Sequence, residues 1–175
     1  SAFDKSVSGG TLKYADFYAD LSHYALSNTA TTDTPAFKTP QRVKKAMLDV
    51  AHRISQQRAW EDVCGTPMSA RNLQQEWSNP NTPPTRAFIN VYENDSKKHG
   101  AKKHVDQGLR FGTAVVKLAG GKDSPQSALR VHTSLDTSES FSLPDGSAVL
   151  FPSRTLHSVP DKIRMTKRVT LNIFF

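Results

Sequence analysis

The sequence predicts an α+β fold in which N-terminal helices buttress one face of an antiparallel β-sandwich or barrel. Three observations carry that prediction. Apolar residues recur at three- and four-residue steps in the first third of the chain. After Pro84 the period changes to short β-branched and aromatic runs, separated by glycine, proline and aspartate. Helices come first and strands follow, so alternating βαβ units are excluded. A length of 175 residues fits one domain, read as a helical N-terminal part over 1–84 and a β core over 85–175.

The elements follow in chain order. A weak helical pattern spans Tyr14 to Leu26, and a polar link covers Asn28–Thr34. Thr39-Pro40 then supplies an N-cap and a first-turn proline. Val43, Ala46, Met47, Val50, Ala51 and Ile54 mark one apolar stripe behind it, predicting a helix that ends near Trp60. The segment Asn79-Pro80-Asn81-Thr82-Pro83-Pro84 is a loop. Six strands are predicted after it, over Arg86–Tyr92, Phe111–Leu118, Ala128–Thr133, Ser138–Leu143, Ser147–Phe151 and Arg168–Phe175. Gly120-Gly121 reads as a hairpin turn, because neither phosphate-loop nor dinucleotide spacing surrounds it.

Composition narrows the function classes. No apolar run approaches the roughly 18–20 residues of a membrane span, and SAFDKSVSGG lacks a basic-then-apolar signal region. The expectation is an intracellular protein, of cytoplasm or nucleus. A single cysteine, Cys64, excludes a disulfide framework and a cysteine-rich zinc module. The +7 charge favours anionic partners without identifying one. The serines lack a nucleophile-elbow motif.

His104, Asp106 and His157 carry the chemistry. On an extended backbone, positions i and i+2 point to the same face, so His104 and Asp106 can grip one ion while Val105 faces away. His157 follows a turn and the apolar run Ser147–Phe151, which would present it at a barrel mouth. Two histidines and a carboxylate form the facial triad of non-haem Fe(II) oxygenases, with coordination positions left open. Eleven residues beyond His157, Arg168 opens an otherwise apolar strand. Such an arginine is costly unless its charge meets an anion, which a dicarboxylate would supply through a bidentate pair.

This order and spacing resembles the Fe(II)/2-oxoglutarate-dependent oxygenase superfamily, over roughly Arg86 to Phe175. Asn90-Val91-Tyr92 and Arg168-Val-Thr-Leu-Asn look like strands of its AlkB-like branch, in which the Asn, the Tyr and the Arg help to hold 2-oxoglutarate. Phe174 stands where AlkB-type demethylases carry a second arginine, and Leu109 where they often carry an acid. The resemblance is therefore to the superfamily, AlkB-like or prolyl-hydroxylase-like. It implies a double-stranded β-helix, or jelly roll, with N-terminal helices packed on the major sheet. It also implies Fe(II) at His104, Asp106 and His157, and 2-oxoglutarate held by Arg168, Tyr92 and Asn90. Lys167 competes with Arg168 for the anchor role through a one-residue register slip.

The implied activity is a dioxygenase that hydroxylates or oxidatively demethylates a substrate. A nucleic-acid base is the favoured substrate, and a protein side chain hydroxylated in the prolyl fashion is the alternative. Lys97, Lys98, Lys102 and Lys103 crowd the segment before His104, and Arg154 flanks His157. Together they read as a clamp for a polyanion at the mouth, or as a solvated loop. A peptide is the other partner class, and a catalytically inactive basic jelly roll that binds nucleic acid is a further reading. His23 and His52 read as ordinary helix residues and His132 as a structural strand histidine, none of them a ligand.

Overall fold

A computed structural model describes residues 4–7, 10–14, 19–20, 41–78, 86–93, 101–106, 109–124, 128–160 and 167–175. Three short strands come first: β1 (Asp4–Val7), β2 (Gly10–Tyr14) and β3 (Ala19–Asp20). Helices α1 (Gln41–Ser55), α2 (Trp60–Val63) and α3 (Pro67–Ser78) follow. The remaining strands are β4 (Arg86–Glu93), β5 (Ala101–His104), β6 (Gly112–Ala119), β7 (Leu129–His132), β8 (Ser138–Phe141), β9 (Ala148–Pro152), β10 (His157–Val159) and β11 (Lys167–Phe174). Among the described residues no helix is long and apolar enough to cross a membrane.

Two antiparallel sheets result. The larger runs β1-β2-β4-β11-β6-β9, with β3 also on β4, and the smaller runs β5-β10-β7-β8. Counted from β4, successive strands alternate between the sheets as far as β7, and the last three alternate back. This is the winding of a double-stranded β-helix. All six strands expected from the sequence are present, within two residues of the expected bounds. The fold is α+β, a jelly roll with a helical layer.

Strand alternation divides the larger sheet into two chemically different faces. On one face Ala87, Ile89, Ala114, Val116, Leu171 and Ile173 pack against Met47, Ala51, Trp60, Ala70, Leu73 and Trp77 of the helices. Phe175 closes this core, with its ring edge-on to Trp60 at 5.1 Å and to Trp77 at 5.3 Å. Backbone bonds from Phe111 and Gly112 to the Phe175 carbonyl, at 3.0 and 3.2 Å, pin it there. Gly112 is required at this corner: a Cβ would lie 2.3 Å from the Phe151 carbonyl oxygen and 3.1 Å from the Trp60 ring.

Four sequence expectations need correction. The helix expected over Tyr14–Leu26 is not what Tyr14, Ala19 and Asp20 form. They are strand residues, with Lys13 and Tyr14 opposite Val91 and Asn90, and Ala19 opposite Ala87. Covering the outer edge of β4 outweighs a weak helical preference, so 1–84 is not uniformly helical. The rest of that expected helix, including His23, and the Thr39-Pro40 start signal lie outside the described residues.

The long helix stops at Ser55 rather than near Trp60. The Ser55 hydroxyl donates to the His52 carbonyl at 2.6 Å, and the Trp60 indole donates to that of Ile54 at 2.8 Å. The last carbonyls are thereby satisfied and the chain turns to bring Trp60 into the core. Helix α3 was not anticipated, although Thr66-Pro67 repeats the capping signal: the Thr66 hydroxyl accepts the Ser69 N–H at 3.2 Å.

Gly120-Gly121 is not a hairpin. It joins β6 of the larger sheet to β7 of the smaller, with φ of 116° and 72°. These angles belong to glycine, and they let the chain cross between layers.

Phe175→Ala is expected to destabilise the fold by about 3–5 kcal/mol, because a large ring leaves a cavity between two tryptophans. Chemical denaturation with an unchanged m-value checks this; a loss below about 1 kcal/mol would mean that the corner is loosely packed.

Candidate metal centre

His104 and His157 are direct cross-strand partners on β5 and β10. Their ring centroids lie 4.2 Å apart. Asp106 lies two residues past His104, just beyond the end of β5. One ligand atom from each of the three falls within 4.8 Å of the others. The arrangement is asymmetric in burial: His157 is buried, Asp106 half-buried and His104 exposed. One side of the site therefore faces the barrel interior and the other faces solvent.

Both rings are oriented by a local device. His104 Nδ1 lies 2.7 Å from the Lys102 carbonyl, and His157 Nδ1 lies 2.9 Å from that of Thr155. A carbonyl only accepts, so each Nδ1 carries the proton and each Nε2 keeps its lone pair. Those Nε2 atoms point at the Asp106 carboxylate, at 3.6 Å for His104 and 3.5 Å for His157. Phe151 packs on His157 with centroids at 4.8 Å. Burial pushes the His157 imidazole below the ordinary histidine range, against the raising influence of the Thr155 carbonyl and the Asp106 carboxylate. The neutral form, which is the ligand form, is thus favoured.

Asp106 is held in turn. The hydroxyl of Thr113, the second residue of strand β6, donates to Asp106 Oδ2 at 2.8 Å. Thr113 is 1% exposed, so little competes for that bond. With two imidazole nitrogens and one steadied carboxylate brought together, the donor set suits a divalent first-row metal and leaves coordination positions open.

The inner face of the larger sheet continues the site. Thr113, Lys117, Arg168 and Thr170 are all buried there. In the registers, Thr170 lies opposite Lys117 on one side and Asn90 on the other, and Arg168 lies opposite Tyr92. The register therefore places Tyr92 and Asn90 of β4 opposite Arg168 and Thr170 of β11. Lys167 lies opposite Glu93 in the same register.

The buried Arg168 does meet an anion, but one supplied by the chain. Asp123 Oδ1 accepts from Arg168 Nε at 2.9 Å and from Lys117 Nζ at 2.7 Å. Lys117 also donates to the Gly121 carbonyl at 2.6 Å. Lys117, Asp123 and Thr113 were not singled out in the sequence. Lys117 did leave a signal, because it interrupts the apolar run Phe111–Leu118 at an inward position. Asp123 left none, since its arginine partner is 45 residues away.

The rim residues divide. Lys102 and Lys103 are exposed, and both are residues of β5 rather than of a loop. Lys103 donates to the Leu135 carbonyl at 2.8 Å. Arg154 is exposed in the turn before β10, with φ of 66°. Lys97 and Lys98 lie outside the described residues. His132 is no ligand: its Nε2 pairs with the Ser158 hydroxyl at 2.8 Å. His52 Nδ1 pairs with the Trp77 carbonyl at 3.0 Å.

No protein-family model matches the sequence, and no curated protein matches it. Solved structures do. An oxidoreductase of the 2OG-Fe(II) oxygenase family from Burkholderia pseudomallei aligns with a TM-score of 0.56 at 15% identity, over 98% of this chain and 71% of its own. A prolyl-4-hydroxylase from Pseudomonas putida aligns with a TM-score of 0.45 at 19% identity, over 69% of this chain and 63% of its own. A cupin domain from Bordetella pertussis aligns with a TM-score of 0.37 at 17% identity, over 51% of this chain and 79% of its own. At these identities the likeness is one of fold.

Two predictions follow from the ligand geometry. His104→Ala and His157→Ala are each expected to abolish tight Fe(II) binding while leaving the far-ultraviolet circular dichroism intact; a variant that still binds Fe(II) as tightly as the parent removes that residue from the site. Thr113→Val, which keeps shape and loses the hydroxyl, is expected to weaken Fe(II) binding about 10-fold or more. Thr113→Ser is expected to restore it. Competition against a chelator measures both, and equal affinity in the valine variant would mean that Asp106 needs no support.

Proposed function

We propose that this protein is an Fe(II)- and 2-oxoglutarate-dependent dioxygenase. The observation that carries the reading is the pairing of two features across the two sheets: three ligand atoms within 4.8 Å at the strands of the smaller sheet, and two fully buried cations, Lys117 and Arg168, on the inner face of the larger, whose Thr113 bonds Asp106. A metal alone needs only the first. A co-substrate that is an anion at both ends calls for the second.

In this reading His104, Asp106 and His157 hold Fe(II), and the bound iron with 2-oxoglutarate supplies oxidative decarboxylation coupled to hydroxylation of a substrate C–H. The chain supplies the rest. The Nδ1 bonds to Lys102 and Thr155 hold the imidazoles in the ligating tautomer. Thr113 limits rotation of the Asp106 carboxylate. Arg168, with Lys117, Asn90 and Tyr92 nearby, receives the distal carboxylate of 2-oxoglutarate. Exposure at His104 leaves an approach for a substrate.

The exposed cations favour an anionic substrate. Lys102 and Lys103 share the strand that carries His104, and Arg154 sits in the turn leading to His157. A flipped or single-stranded base at the end of a phosphodiester chain fits that rim. A side chain of a peptide is the competing substrate, and the absence of a second arginine at Phe174 favours it.

Anaerobic addition of Fe(II) and 2-oxoglutarate is expected to give a metal-to-ligand absorption band, and air is expected to give uncoupled succinate. Both should be absent in His157→Ala. Arg168→Ala should weaken 2-oxoglutarate binding and Lys167→Ala should not; the reverse pattern moves the anchor by one residue. Methylated oligonucleotides screened against peptides decide the substrate class. Neutralising Lys97, Lys98, Lys102 and Lys103 together should lower oligonucleotide affinity and flatten its salt dependence, since each phosphate contact releases counterions. An unchanged slope returns the segment to an ordinary solvated surface.

A further inference from the structure

The cation pair on the inner face already has a carboxylate partner. Asp123, with a fully buried side chain, accepts from Arg168 through both Nε at 2.9 Å and Nη2 at 3.3 Å. Lys117 Nζ adds a third donor at 2.7 Å and the Leu143 backbone N–H a fourth at 3.3 Å. A forked guanidinium contact supplemented by an ammonium is also the contact set that an incoming carboxylate would seek. Moreover, Asp123 stands just after Gly120 and Gly121 on the crossover, not on a strand of the barrel. It is a side chain delivered to Arg168 from outside the sheet that carries Lys117 and Arg168.

We infer that Asp123 is a built-in competitor for the distal carboxylate of 2-oxoglutarate. The inference rests on the co-substrate reading given above. Without co-substrate, Asp123 gives the buried Arg168 and Lys117 a carboxylate at hydrogen-bonding distance, whereas Asp145 stands 3.9 Å from Lys117 Nζ; removing one partner of such a desolvated pair is strongly destabilising. When the dicarboxylate enters, it takes over contacts that Asp123 must give up. The distal carboxylate therefore contributes only the difference between two similar ion pairs. Occupancy then responds to the prevailing dicarboxylate concentration instead of saturating at trace levels.

The test compares two 2-oxoacids of equal chain length, 2-oxoglutarate and 2-oxopentanoate, which lacks the distal carboxylate. Each is titrated into the anaerobic Fe(II) protein and followed by the absorption band. In the parent protein the two affinities are expected to differ by less than about 10-fold. An anchor with no internal competitor would separate them by several-hundred-fold or more, as expected for a desolvated charge pair. Asp123→Asn keeps the shape and an oxygen acceptor but cannot neutralise the cations. In it the ratio should widen to about 100-fold or more.

A several-hundred-fold ratio in the parent protein overturns the inference, as does a ratio that stays the same or narrows in Asp123→Asn. If that variant does not fold, the ratio in the parent decides alone. Absence of the band with both 2-oxoacids would instead sink the co-substrate reading and this inference with it, a result distinct from a band that forms with the wrong ratio.

Discussion

The alternation of strand β11 governs the molecule. It is hydrogen-bonded on both sides, to β4 and β6, so neither edge is free and its register is fixed along eight residues of β4. With the register fixed, each residue's face is fixed too. Leu171 and Ile173 go to the helices, and Arg168 and Thr170 go to the interior. One residue of slip would send an arginine into an apolar core and part it from the Asp123 carboxylate it pairs with. The helical layer, which makes no part of the ligand set, nonetheless guards the site by holding that register through Trp60, Trp77 and Phe175.

Much of this was legible in the sequence because it depends on short periods. Six of the strands announce themselves through β-branched and aromatic runs bounded by turn residues, and the order of helices and strands gives the fold class. His104, Asp106 and His157 were legible for a different reason: ligand chemistry restricts residue type and spacing so strongly that few patterns satisfy it. The strands that carry them were not. β5 reads AKKH and β10 reads HSV, too short and too polar to show an alternation. They exist because neighbouring strands offer them partners.

What the sequence hid is mainly non-local. Asp123 looks like a turn residue, and only the folded chain brings it to Lys117 and Arg168. The argument that a buried Arg168 must meet an anion was sound, yet the anion present is internal. Likewise Gly120-Gly121 has the composition of a hairpin, and composition cannot tell a turn within one sheet from a passage between two. The N-terminal strands owe their form to the otherwise exposed edge of β4, which no local propensity in residues 4–20 encodes.

The way the two imidazoles are aimed has a consequence for how such a centre can change over time. Each ring takes its orientation from a backbone carbonyl two residues earlier, Lys102 for His104 and Thr155 for His157. Every amino acid has that carbonyl. The ring-orienting element is thus written into the main chain, where substitution of the preceding side chains cannot erase it. Positions 102 and 155 are left free to drift with the demands of whatever docks at the mouth, while the ion's geometry stays constant. A centre built this way can exchange one clientele for another without first dismantling its metal.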